Sequence, residues 1–313
     1  MRTLLLAAIA ALMSACAQVE ASRPAVRVDM RNVDLHVAPD VTLHVRSLAG
    51  EFVGMEGHFP YLDNRASYTV AVESGEIAVN LQSLNALMTR ALGADHSNVE
   101  KLNVSIADDG TLQQSGLIDK GVNVPFSSKS TVSVTADGRI RIATQSMKGF
   151  GVPMKPVLSL FRVKMDDLLK VKPGRGVVVD GNDVIIDPGA LLPSPAIHGR
   201  LSSVRVEANA LVQVFGDGRP RSSASRSLAP NHIYWRGGQL AFGKLTMSDT
   251  DLELVDLDSD DPFDFSVDDW DAQLVAGYSK TLQNKGLRAF VPDYNDLRKS
   301  PAAKAAGRST AVM

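Results

Sequence analysis

The chain has 313 residues, of which 44% are hydrophobic and 5% aromatic, and its formal net charge is −2. That is enough apolar content for a sizeable core, and it leaves no global basic field with which to hold nucleic acid or another polyanion. Valine, leucine and isoleucine outweigh the aromatics, so an aliphatic interior is expected. Cys16 is the single cysteine, which excludes a disulfide within the chain.

The first residues are Arg2, the run LLLAAIAALM, and then Ser14-Ala15-Cys16-Ala17. A positive start, a short apolar run and a small-residue cleavage site describe an export signal, too short to cross a bilayer as a stable helix. Met13-Ser14-Ala15-Cys16 resembles the bacterial lipobox, with methionine where leucine is commonest. The resemblance implies cleavage before Cys16 and acylation of that cysteine, palmitate included. An ordinary export signal that happens to contain a cysteine is the alternative. Each buried CH₂ of the added chains is worth ~0.8 kcal/mol, so several chains would give firm attachment. Ala17, standing where aspartate would retain a lipoprotein in the inner membrane, implies anchorage in the outer membrane of a bacterial cell envelope, facing the periplasm. The expected organisation is a signal over 1–15, a tether over 16–25, a single β-rich domain over 26–298 and a disordered tail over 299–313.

From residue 26 the sequence reads as hairpins, each tested by asking which register aligns the apolar faces. Val33, Leu35 and Val37 face Val45, Leu43 and Val41 if Ala38-Pro39-Asp40 is a three-residue loop. Val70 and Val72 face Val79 and Ile77 across Ser74-Gly75. Asp108-Asp109-Gly110 pairs Ile106 with Leu112. Ala136-Asp137-Gly138 pairs Val134 with Ile140 and Val132 with Ile142, and puts Gly138 in the left-handed position of a bulged turn. Gly181-Asn182 sets Val177 and Val179 against Ile186 and Val184, and Gly237-Gly238 sets Ile233 and Trp235 against Phe242 and Leu240. Together these predict an α+β fold, mostly antiparallel β, with a long curved sheet of hairpins wrapped on one or two helices. The Gly/Ser/Pro/Arg-rich stretch 216–230 is a loop or a linker, and a loop within one sheet system fits the strands on either side.

Three helices are expected. One spans 83–92 from a Ser83 cap. The second spans 156–170, with Pro156 in its first turn and a stop at Lys172-Pro173-Gly174. Its broad apolar face is either buried between two layers or open to lipid. The third spans 267–283, with Ser266 and Asp269 as a capping box.

The usual signatures of chemistry are missing. The six histidines make no metal-binding spacing, and His44 is expected opposite Asp34 as a solvated cross-strand pair. No G-x-S-x-G or S-x-x-K motif occurs. Asp256, Asp258 and Asp260 open with calcium-loop spacing, but Asp261 and Val267 stand where glycine and glutamate are needed, which excludes an EF-hand. The run is either an exposed acidic loop or a looser cation site. No metal and no cofactor are expected, and no catalytic residue is identified.

Gly121-Val122-Asn123-Val124-Pro125-Phe126, the following strand pair, Phe150-Gly151-Val152-Pro153-Met154 and the helix after them resemble the LmeA-like exported bacterial proteins, with Asp187-Pro188-Gly189-Ala190-Leu191-Leu192-Pro193 as a later strand exit. These belong to the tubular lipid-binding superfamily of the bactericidal permeability-increasing proteins. The likeness covers roughly residues 70–215 and is one of pattern. It implies a curved antiparallel sheet wrapped around a helix with an acyl chain held between. Val132, Val134, Ile140 and Ile142 would then wall a groove closed by Leu158, Phe161, Met165 and Leu168; the same residues could instead fill a dry core. Three functions follow as expectations: a membrane-anchored lipid binder or carrier, a ligand-free scaffold with an unknown protein partner, or an envelope phospholipase.

Overall fold

The first two strands, β1 (Ala25–Ala38) and β2 (Val41–Gly54), run for fourteen residues each; buried and half-buried side chains alternate along most of β2, while β1 buries Val28, Asp29 and Met30 in succession. A third long strand, β3 (Tyr68–Asn80), leads directly into helix α1 (Leu81–Leu92). This is a computed structural model; it describes residues 24–92, 99–119, 123–149, 152–153, 176–218, 229–283 and 285–299. Cys16, the helix expected over 156–170 with Leu158, Phe161, Met165 and Leu168, most of the 216–230 loop and the tail beyond 299 lie outside the described residues.

After α1 come β4 (Val99–Ile106), β5 (Leu112–Asp119), β6 (Asn123–Val134), β7 (Ile140–Gly149) and β8 (Val152–Pro153). Then follow β9 (Val177–Asp180), β10 (Asp183–Ile186), the short helix α2 (Pro188–Leu191), β11 (Ile197–His198), β12 (Leu201–Glu207) and β13 (Ala210–Phe215). The last part holds β14 (His232–Arg236), β15 (Leu240–Phe242), β16 (Leu245–Met247), β17 (Asp251–Asp256), β18 (Phe263–Ser266), α3 (Trp270–Ala276), β19 (Tyr278–Thr281), β20 (Leu287–Val291) and α4 (Tyr294–Lys299).

Two large sheets organise most of these elements, and β15 with β16 forms a separate two-stranded one. The larger has eleven strands in the order β12-β13-β3-β2-β1-β14-β17-β20-β19, with β11 on β3 and β18 on β1. The smaller has seven, β4-β5-β6-β7-β10-β9, with β8 on β7. Only β1–β18, β3–β11 and β17–β20 are parallel among these pairs. Strand accounts for 58% of the described residues and helix for 12%, and the sheet curls strongly, so the α+β, mostly antiparallel, curved-sheet expectation holds.

Several registers are as the apolar faces dictate: Val134 lies opposite Ile140 and Val132 opposite Ile142, Ile106 opposite Leu112, and Val177 and Val179 opposite Ile186 and Val184. Gly138 has φ +84°. Its turn is also clasped by the larger sheet, because Leu201 N donates to Gly138 O at 3.3 Å and Arg200 Nη2 to Ala136 O at 2.5 Å.

Other expectations are corrected. The β1–β2 turn is only Pro39-Asp40; Ala38 opposes Val41, and an irregularity at Val37 absorbs the extra residue. Ser74-Gly75 is not a turn but lies inside β3, and a Cβ at Gly75 would stand 2.4 Å from Ser47 O of β2. Gly237-Gly238 does not fold β14 onto β15: β14 pairs with β17, and the β15–β16 hairpin is an insertion between them. Asn80, not Ser83, caps α1, accepting from Ser83 N at 2.8 Å. The third helix is seven residues long, and the chain from Tyr278 is strand. Asp269 N does donate to Ser266 Oγ at 3.1 Å, the backbone half of the expected box.

Helix α1 joins the two sheets. Ser83 Oγ accepts from Thr42 N at 2.9 Å and donates to Thr42 O at 3.0 Å, fixing it to β2. Asn85 holds Val104 of β4 in the same two-point manner, Nδ2 to the carbonyl at 2.9 Å and Oδ1 from the amide at 2.7 Å.

Candidate functional site

Between the sheets, under α1, lies a cavity of about 120 Å³. The larger sheet contributes Leu43, Ile77, Val79, Leu211 and Phe215, and α1 contributes Leu84, Leu87 and Met88. These three occupy i, i+3 and i+4, one face of a helix. The smaller sheet supplies the opposite wall, Ile140, Ile142, Ile186 and Phe126 among it, and α2 with β11 covers one end through Leu191, Leu192 and Ile197.

Polar groups enter this space at few points. Gln114 of β5 accepts from Ser128 Oγ at 2.6 Å and Ser130 Oγ at 3.0 Å, both on the neighbouring β6. Gln213 of β13 faces the cavity between Leu211 and Phe215. No Asp, Glu, Lys, Arg or His lines it among the described residues. An apolar space without a charge suits an uncharged, largely hydrocarbon occupant.

Of the residues singled out from the sequence, Ile140 and Ile142 line the cavity at 2% and 8% exposure. Val132 and Val134, their partners on β6, are half-buried and pack against the same core without reaching the cavity wall. Leu158, Phe161, Met165, Leu168 and Cys16 fall outside the described residues. Missed altogether were the α1 face and the two glutamines. The helix face was open to detection from its spacing; the glutamines were not, since neither the lone glutamine of ALVQVF nor the polar run of LQQSGLI says what its side chains face.

A second apolar cavity, about 70 Å³, lies on the larger sheet and shares Leu43, Ile77 and Ile197 with the first. Phe52 stacks on Tyr68 at 4.8 Å and meets the edge of Trp235 at 5.8 Å along its wall. Burial raises the Tyr68 hydroxyl above its ordinary range. Trp235 Nε1 is buried with no hydrogen-bond partner.

Two other clusters carry titratable groups. His36 contacts the Asp264 carboxylate through Nε2 and Thr42 Oγ1 through Nδ1 at 3.1 Å, while Asn295 N donates to the other Asp264 oxygen at 3.0 Å. Its composition is that of a hydroxyl–imidazole–carboxylate chain, but none of the three lines either cavity, and its bonds tie β18 and α4 to β1. His44 and Asp34 form the expected cross-strand pair at 2.6 Å, each about a third exposed. The acidic run is partly drawn inward. Carboxylate oxygens of Asp256, Asp261 and Asp293 lie within 4.8 Å of one another, a set expected in part from the sequence but completed by Asp293 from beyond β20. Burial, then the neighbouring carboxylates, push Asp293 up to about 7, and burial raises Asp256. The cluster therefore answers its own repulsion with a proton on Asp293 near neutral pH.

Among the described residues no helix is long and apolar enough to cross a membrane. Compared with family models, with curated proteins and with solved structures, the chain matches none.

Proposed function

We propose that the protein is a lipid-anchored component of the bacterial cell envelope that binds, and so can carry, a lipid acyl chain between its two sheets. The observation that carries this reading is the cavity beneath α1, which no charged side chain lines among the described residues. At about 25 cal/mol per Å², an acyl chain burying a few hundred Å² there would gain several kcal/mol with no polar contact at all. The lipobox-like Met13-Ser14-Ala15-Cys16 supports a membrane address, and the likeness to LmeA-like proteins supports the ligand class.

The test is to express residues 17–313 without the signal and acylation site, extract the purified protein with organic solvent and analyse the extract by lipid mass spectrometry. A stoichiometric co-purifying lipid is expected. No lipid above background, together with no uptake of added fluorescent fatty acid, would leave a ligand-free scaffold as the better account.

A further inference from the structure

Gln213 stands where an apolar residue would fold more easily. It is 7% exposed, its strand neighbours on the cavity face are Leu211 and Phe215, and its cross-strand partner is Ile77 of β3. Its carboxamide has no hydrogen-bond partner among the described residues, although it lines the cavity. Burying most of an amide with no protein partner costs part of its hydration, which a methionine or leucine here would avoid. Its polar atoms nonetheless open onto the cavity, since the sealed side-chain atoms without a partner among the described residues are Trp235 Nε1 and Glu253 Oε1. On the facing sheet, Gln114 uses its carbonyl oxygen for Ser128 and Ser130, which leaves its amide hydrogens without a partner among the described residues. Both walls of this largely apolar space thus present a carboxamide, beside the hydroxyls of Ser128, Ser130 and Thr144, and among the described residues neither presents a charge.

We infer that the part of the ligand lodged in this cavity bears an uncharged hydrogen-bonding group, an acyl ester with a neighbouring hydroxyl as in a monoacylglycerol, and that Gln213 is the residue that selects it. The inference rests on the lipid-binding reading above and narrows it. An amide donates through Nε2 and accepts through Oε1, so an ester carbonyl and a hydroxyl together satisfy both ends. Among the described residues the space holds no cation to meet a free fatty acid's carboxylate, which would have to take up a proton to enter it. A bare alkane would fill the volume and leave the amide as it is. In the empty protein the Gln213 amide faces the cavity space, and a ligand with such a group takes up its donor and its acceptor together.

The experiment uses delipidated residues 17–313 loaded with diphenylhexatriene, a fluorescent hydrocarbon with no hydrogen-bonding group. Monopalmitoylglycerol, hexadecane and palmitate compete for it in wild type, in Gln213→Met (close in volume) and in Gln213→Leu. In wild type the glycerol ester should displace the probe about three- to tenfold more effectively than the alkane, the range of one or two net hydrogen bonds. Gln213→Met should abolish that preference, bind the hydrocarbon probe at least as well, and unfold at a higher urea concentration when empty. The last result separates a binding role from a structural one. An unchanged preference in both variants, or a lower urea midpoint for Gln213→Met, overturns the assignment of Gln213. Equal competition by ester and alkane in wild type overturns the ligand class. Failure of wild type to take up the probe overturns the lipid-binding reading itself.

Discussion

Asp293 is held near neutral pH by its surroundings more than by any single partner. Its Oδ1 accepts from Asp264 N at 2.8 Å, and the charges around it are Asp256 at the end of β17, Asp261 in the following loop and Asp264 on β18, all acidic. With its pKa raised to about 7 from an ordinary carboxylate value, the native state keeps a proton that the unfolded chain has already released. The resulting stability is complete below about pH 4 and is lost as the pH rises through about 7, with a slope no steeper than about 1.4 kcal/mol per pH unit. Glu76 and Glu207 act in a different window. The Arg205 guanidinium holds Glu76 below its ordinary range and Arg46 does the same for Glu207, so their contribution is lost only in acid. Asp293→Asn keeps an acceptor for Asp264 N and removes the titration. Its urea midpoint should stay level between pH 5 and 8 where the wild-type midpoint declines. Parallel curves for the two proteins would place the pH dependence elsewhere.

At the scale of elements, α1 decides whether the two sheets enclose a space. Its apolar face supplies one wall, but that face alone does not fix its position. The two-point bonds of Ser83 to Thr42 and of Asn85 to Val104 do, one to each sheet. Ser83→Ala leaves the Thr42 amide and carbonyl of β2 without this partner, and Asn85→Ala does the same to Val104. Each should cost about 1–3 kcal/mol in denaturant unfolding, and Asn85→Ala should in addition weaken hydrocarbon-probe binding, because it frees the helix from the sheet forming the opposite wall. An Asn85→Ala protein with unchanged probe affinity would show that α1 is held by packing alone. Such ties were illegible in the sequence, as were the strand partners of β3 and β14. Where glycine closes a short turn, as at Gly138, Gly110 and Gly181, register follows from neighbouring residues and the apolar pattern finds it. Where glycine admits another strand's backbone, as at Gly75 beside Ser47 O and Gly238 beside Ala25 O, the cause is remote in sequence. A local reading then mistakes close approach for a turn.

At the scale of the whole molecule, and among the described residues, the apolar faces of the two large sheets meet incompletely. β12 starts at Leu201, whose N–H holds the Gly138 turn of the smaller sheet, and α1 is fixed to both sheets, so the faces are held together at those places; between them remain the two cavities that meet at Leu43, Ile77 and Ile197. The candidate site was legible to the extent that Ile140 and Ile142 could be placed on an inward face. Its walls from β3, β13 and α1 arise from tertiary packing, which periodicity does not encode. Protein interiors ordinarily fill such space, since atoms facing a void lose contacts on one side. An occupant that binds only the native state therefore adds stability as RT ln(1 + [L]/Kd), about 2.7 kcal/mol at a free concentration a hundredfold above Kd. Adding diphenylhexatriene to the delipidated protein should raise its Tm. Ile142→Phe and Leu87→Phe, which put ring atoms into the same space from opposite walls, should bind the probe less well and show a smaller rise. If the rise is undiminished in both variants, the probe binds elsewhere and the space beneath α1 is a packing defect. If it shrinks in both, the cavity is the binding site, and the incomplete packing of the two sheets is where the function resides.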